Sequence, residues 1–196
     1  MNYILIDTAY IDGVAGTLRQ HFAHVLDRQI PQADLAYWLD CLVLDAGLQP
    51  GENEVQVAFF HPKKSNHLSH FTPSKFKEEL SQKAFRDNLG EFTMASYCVE
   101  DIVTPAQLMA HSLSASLSAK DTERIVLVGN TEAYAEELKA VCRDYADKTP
   151  EAERRPVFLA SMNSLEGTGF THLQVGLSLL QALGITADDL DRMQAK

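Results

Sequence analysis

Two short apolar runs limit what this chain can fold into. Tyr3-Ile-Leu-Ile-Asp7 and, far downstream, Arg124-Ile-Val-Leu-Val-Gly129-Asn130 carry branched apolar side chains on successive positions and stop abruptly at a small or polar residue. A strand with one wet face would alternate apolar and polar residues. An unbroken run bounded by turn chemistry predicts a strand buried on both faces, as in a parallel sheet. Such sheets carry their working residues just beyond the carboxyl ends of the strands. Asp7 and Asn130 are therefore expected side by side on one rim.

The segments between the runs read as crossovers and further strands. Val14, Leu18, Phe22 and Val25 recur at helical spacing after a loop from Thr8 to Gly13, until Pro31 breaks the pattern. Leu35, Trp38, Leu39, Leu42, Val43 and Ala46 form a second helical face before Gly47, with Trp38 read as core. Val55–Phe60 predicts the next strand. Thr72-Pro73 predicts a helix start, threonine as cap and proline at the first helical position, running to about Asn88. Phe92–Val99 reads as a third strand, ended by Glu100 and Asp101. Thr104-Pro105-Ala106-Gln107 is a capping box opening a helix toward Ser118.

Beyond the strand at Arg124–Gly129, Asn130-Thr131 is expected to cap a helix carrying Tyr134, Leu138, Val141 and Tyr145. A charged loop from Asp147 to Arg155 leads to a strand at Pro156–Ala160, and Thr171–Val175 reads as a short edge strand. Thr186 caps the last helix, with Asp188 and Asp189 favouring its N-terminal dipole. Strand and helix alternate without internal repeat or low-complexity linker. The expectation is one domain over residues 1–196, a three-layer α/β fold with a mostly parallel central sheet flanked by helices, Rossmann-like in kind.

Composition bounds the function. A net charge of -10 disfavours a long non-specific nucleic-acid surface and leaves room for a small local one. Cys41, Cys98 and Cys142 lie far apart with no CxxC pair, which reads as reduced, buried thiols in an intracellular protein. Asp7 precedes any Lys or Arg, unlike a signal peptide, and no run is long enough to span a bilayer. The cytoplasm is the expected compartment, with no membrane partner. No Gly-x-Ser-x-Gly elbow and no Rossmann glycine fingerprint occur, and Ser164–Gly169 lacks the Walker lysine.

The strand ends carry Asp7, His61, Glu100-Asp101, Asn130 with Glu132, and Ser161–Asn163. An oxygen-rich rim suits a hard divalent cation such as Mg²⁺ or Mn²⁺, which can activate water at a phosphodiester. The same residue types also form turns and helix caps. His61, Lys63 and Lys64 open a polar, histidine-rich segment that ends at His70. It reads as a phosphate-contacting loop, a transition-metal site or a solvated loop, and is expected to be exposed and more mobile than the sheet. His21 and His24, three apart on a helix, read as surface residues.

On these residues the chain resembles the NYN branch of the PIN-like nucleases. Ile4-Leu-Ile-Asp7 is similar to that family's first strand with its terminal aspartate. Val99-Glu100-Asp101-Ile102 lies where the family carries an acidic residue before a helix. Ile125-Val-Leu-Val-Gly129-Asn130-Thr131-Glu132 resembles its strand followed by Gly-Asp-Ser-Asp, and the order of elements matches over roughly Met1 to Val175. The resemblance implies a PIN-like sheet and RNA cleavage dependent on Mg²⁺ or Mn²⁺. It implies a catalytic set of Asp7, Asp101 (or Glu100), Asn130 and Glu132, with Asp7, Asp101 and Glu132 on the metal. His61, Lys63 and Lys64 would contact phosphate.

The chain departs from the pattern where Asn130 replaces an aspartate, where Glu132 is longer than one, and where Thr8-Ala9-Tyr10 lacks an asparagine after the first acid. Two expectations follow: a metal-dependent endoribonuclease with relaxed ligands, or a catalytically inactive PIN-like domain that binds nucleic acid or protein. An α/β domain binding a small phosphorylated ligand at the same rim is a third. RNA is the expected partner, and a homo-oligomer or another protein partner stays open.

Overall fold

The two apolar runs are hydrogen-bonded neighbours at the centre of the sheet in a computed structural model that describes residues 1–99 and 103–194. β1 (Asn2–Asp7) runs directly into α1 (Thr8–Leu26), followed by the two-residue β2 (Ala33–Asp34) and α2 (Leu35–Asp45). β3 (Asn53–Pro62), β4 (Phe71–Thr72), a π-helical turn (Phe76–Leu80), β5 (Lys83–Arg86) and β6 (Gly90–Val99) come next. After α3 (Pro105–Ser118) lie β7 (Arg124–Val128), α4 (Ala135–Lys148) and a 3-10 turn (Glu151–Glu153). The chain ends with β8 (Val157–Ser161), β9 (Thr171–Gln174), α5 (Val175–Ala182) and α6 (Ala187–Gln194).

The seven-stranded sheet has the order β5-β6-β3-β1-β7-β8-β9, parallel throughout except for β5 against β6. β2 and β4 form a separate parallel pair. Alternate residues of β1 feed two cores. Ile4 and Ile6 pack with α1, α2 and α5 on one face, while Leu5 joins Met109, Leu113, Leu138 and Cys142 of α3 and α4 on the other. This is the expected three-layer arrangement, and it explains why β1 cannot alternate polar residues: both faces are dry. Trp38 is fully buried and packs against Phe71, ring centres 5.3 Å apart. Among the described residues no helix is long and apolar enough to cross a membrane.

Several elements differ from the sequence expectation. Helix α1 begins at Thr8, with no loop to Gly13, because the Asp7 side chain accepts from Tyr10 N at 3.2 Å and caps it at once. The helix expected from Thr72 to Asn88 does not form. The Thr72–Pro73 peptide is cis, the π-helical turn is confined to Phe76–Leu80, and Gln82 turns the chain at φ 59°. Lys83–Arg86 then adds antiparallel to β6, where Phe85 stacks on Phe92 with centres 4.6 Å apart; edge pairing and burial override the local helical pattern.

Asn130-Thr131 opens an irregular turn, and α4 starts only at Ala135 and continues through Lys148, where a loop was expected. α5 forms where the sequence predicts no helix, and it packs against α2. The capping box at Thr104 and Gln107 forms as expected, with both reciprocal bonds at 3.2 Å. Cys41 and Cys142 are buried free thiols, whereas Cys98 is exposed, since it lies near the end of β6 beyond the packed layers.

Candidate functional site

The chain leaves β1 on one side through α1 and α2 to reach β3, and returns from β6 through α3 to β7 on the other side. The strand order thus reverses between β1 and β7, and open α/β sheets bind ligands in the crevice beyond the carboxyl ends at such a point. Asp7 terminates β1 there and is only 7% exposed. Its Oδ1 accepts from Tyr10 N and its Oδ2 accepts from the Tyr134 hydroxyl at 2.6 Å. Thr8 Oγ1 donates to Phe60 O at 2.9 Å and ties the start of α1 to β3.

Beside Asp7 lies a cleft of about 280 Å³. Phe60, Leu108, Met109 and Val99 supply apolar wall, Asp7 and Tyr134 the polar floor, and Lys63 and Lys64 the cationic lining among the described residues. Strand alternation explains the lysines' companions. Phe60 and Pro62 of β3 face the cleft while His61 faces the other way, stacked on Phe76 with centres 4.2 Å apart.

The expected site residues are placed as follows. Asn130 sits just past β7, and its Oδ1 accepts from Ala133 N at 3.2 Å, a turn-capping role. The Glu132 carboxylate accepts from Asn163 Nδ2 at 2.7 Å. Asp7 and Glu132 lie close enough to Tyr10 that both charges raise its pKa, though burial is the larger cause and the Met162 N–H works against it. Asp7, Asn130 and Glu132 therefore share one rim. Asp101 and Glu100 lie outside the described residues. Among the described residues no group of three or more His, Cys, Asp or Glu side chains could hold a metal ion.

Tyr134 is the principal residue that sequence reading passed over. Burial, then the hydrogen bond and charge of Asp7, push its pKa well above the ordinary phenol range, so it stays a hydrogen-bond donor. Its spacing in the sequence reads only as an apolar position of the expected helix, whereas it stands just before the first residue of α4. Behind the rim, Ser161 Oγ receives Thr131 Oγ1 at 2.7 Å and lies 3.1 Å from His172 Nε2. Ser161 is 1% exposed, so this cluster locks the β7–α4 turn to β8 and offers no accessible nucleophile.

The histidine-rich segment is exposed at Lys63, Lys64 and His67 but is pinned elsewhere. Leu68 is buried, the Asp12 carboxylate accepts from Ser69 N and His70 N at 2.9 and 2.8 Å, and Arg19 contacts His70 Nδ1 at 2.8 Å. A family model, described as a family of unknown function (DUF6621), matches residues 1–190. No curated protein and no solved structure matches the chain.

Proposed function

The chain belongs to the DUF6621 family, and we propose that its domain is a catalytically inactive PIN-like module that binds single-stranded nucleic acid at the carboxyl rim of the sheet. The observation that carries this reading is the composition of the cleft: a buried carboxylate floor, apolar wall, and Lys63 and Lys64 at the end of β3. Both Asp7 oxygens already receive protein donors, and Glu132 is engaged by Asn163. These bonds orient both carboxylates and leave Asp7, which lines the cleft, acceptor positions for ligand donors, while Asn130, turned to Ala133 N, brings no charge to the rim. The lysines supply phosphate attraction at the cleft in a chain whose net charge is -10. The test is fluorescence anisotropy with a short single-stranded RNA. Binding should be lost in the Lys63→Ala/Lys64→Ala double variant, and equal binding by that variant would remove the cleft from the reading.

A second reading is a ribonuclease using Mg²⁺ or Mn²⁺ held by Asp7, Asp101 and Glu132. The shared rim of Asp7, Asn130 and Glu132 favours it. It predicts that Asn130→Asp, which adds one charge at nearly constant size, raises Mn²⁺ affinity in calorimetry and produces RNA cleavage that Asp7→Ala abolishes. No gain from Asn130→Asp would argue against a lost charge as the defect.

A further inference from the structure

We propose that the cleft reads a single base, and that the base it accepts is guanine, held edge-on by Asp7 with its phosphate toward Lys63 and Lys64. This rests on the nucleic-acid reading and assigns Asp7 a role in base recognition. At about 280 Å³ the cleft lies just below the roughly 300–1,000 Å³ of ligand sites, so it suits one nucleotide unit and no longer stretch. Its apolar wall of Phe60, Leu108 and Met109 suits a flat aromatic group.

The chemistry at the floor selects among bases. A carboxylate has about four acceptor positions, and Asp7 uses one on each oxygen, for Tyr10 N and the Tyr134 hydroxyl. None of the described residues forms an ion pair with Asp7, and the cleft's own cations sit with Phe60 and Pro62 at the end of β3. The remaining lone pairs call for donors. An organic cation meets repulsion from the two lysines, whereas a neutral base bearing two adjacent N–H donors does not. Guanine presents that pair at N1–H and its 2-amino group, matching a carboxylate in bidentate fashion. Adenine places an acceptor nitrogen at the corresponding position, which would face a carboxylate oxygen lone pair to lone pair.

The experiment is calorimetric titration of the full chain with GMP, AMP and XMP, alongside the single-stranded RNA assay. The wild type should bind GMP about tenfold or more tightly than AMP, the discrimination expected of one bidentate pair. Asp7→Asn keeps a good helix cap but turns one acceptor into a donor. It should lose GMP and gain XMP, whose 2-oxo group accepts where guanine donates. Lys63→Ala/Lys64→Ala should bind GMP no better than guanosine. GMP and AMP bound alike, while RNA binding still needs the lysines, overturns the base assignment and leaves the nucleic-acid reading standing. Absence of binding by every mononucleotide also overturns it, and absence of RNA binding as well overturns both. The wild-type comparison needs no variant, so a misfolded Asp7→Asn protein does not decide the question.

Discussion

The hydroxyl of Tyr134 reaches across 127 residues of sequence to donate to Asp7, and this bond joins the β7–α4 turn to the end of β1. Tyr134→Phe removes the donor and leaves the ring, so the loss should be about 1.5–3 kcal/mol, as for a hydrogen bond to a charged group in a partly buried site. Chemical denaturation of the two proteins measures it. The phenol also titrates above its unfolded value. Its contribution is therefore complete below about pH 10 and is lost as pH rises beyond that. Ultraviolet titration should show one phenolate appearing later than the others, and Tyr134→Phe should remove that late step. Asp7 was legible in the sequence because a polar residue ending an apolar run has few places to go. Tyr134 was not, since no local pattern distinguishes a tyrosine that packs from one whose hydroxyl finds a distant carboxylate.

Helix α2 and the β5–β6 hairpin meet at a pair of acids. Burial, followed by a hydrogen bond that the protonated Asp40 carboxyl donates to Asp87, the charge of Asp87 and then the charge of Asp34, pushes Asp40 up to about 7. Its Oδ1 is buried, so the two carboxyls are best satisfied when one proton is shared between them. The folded protein holds that proton where the unfolded chain, with a pKa of about 3.9, has released it. Stability from this pair should be complete below about pH 4 and fall as pH rises to about 7. Thermal melts across this range should show the decline, and Asp40→Asn should flatten it and raise the midpoint above pH 7.

The loop after β3 hangs on a different acid, and Asp12→Ala should speed hydrogen exchange at Ser69 and His70 with little change at Leu5 or Ile125. Elements differ in how much of this is written locally. α3 was readable from Thr104 and Gln107 because capping is a contact of neighbours. β5 was not, because Phe85 owes its conformation to Phe92 and to a free edge of the sheet.

For the whole molecule, a net charge of -10 sets the terms on which any polyanion approaches. With Lys63 and Lys64 as the cleft's cations, one phosphate at the cleft and at most about one neighbouring phosphate of the strand are neutralised. The logarithm of RNA affinity should then fall against that of salt with a slope between about -0.7 and about -1.4, at about -0.7 per phosphate for single strands. A slope several-fold steeper, measured by anisotropy from low to physiological salt, would require a basic surface elsewhere. The parallel, doubly covered sheet followed from two apolar runs because each had to be buried on both faces, whereas the order of its strands did not. The unequal helical cover did not, since it depends on which crossover lies on which side.

Cys98 turns this architecture to practical use. Cys41 and Cys142 are buried, and the Cys142 thiol is pushed up to about 12, whereas Cys98 stands exposed one residue before Val99 of the cleft. A maleimide dye at neutral pH should therefore attach at one position in the unmodified chain. The protein would then carry its own optical reporter, placed where an arriving ligand changes the dye's surroundings.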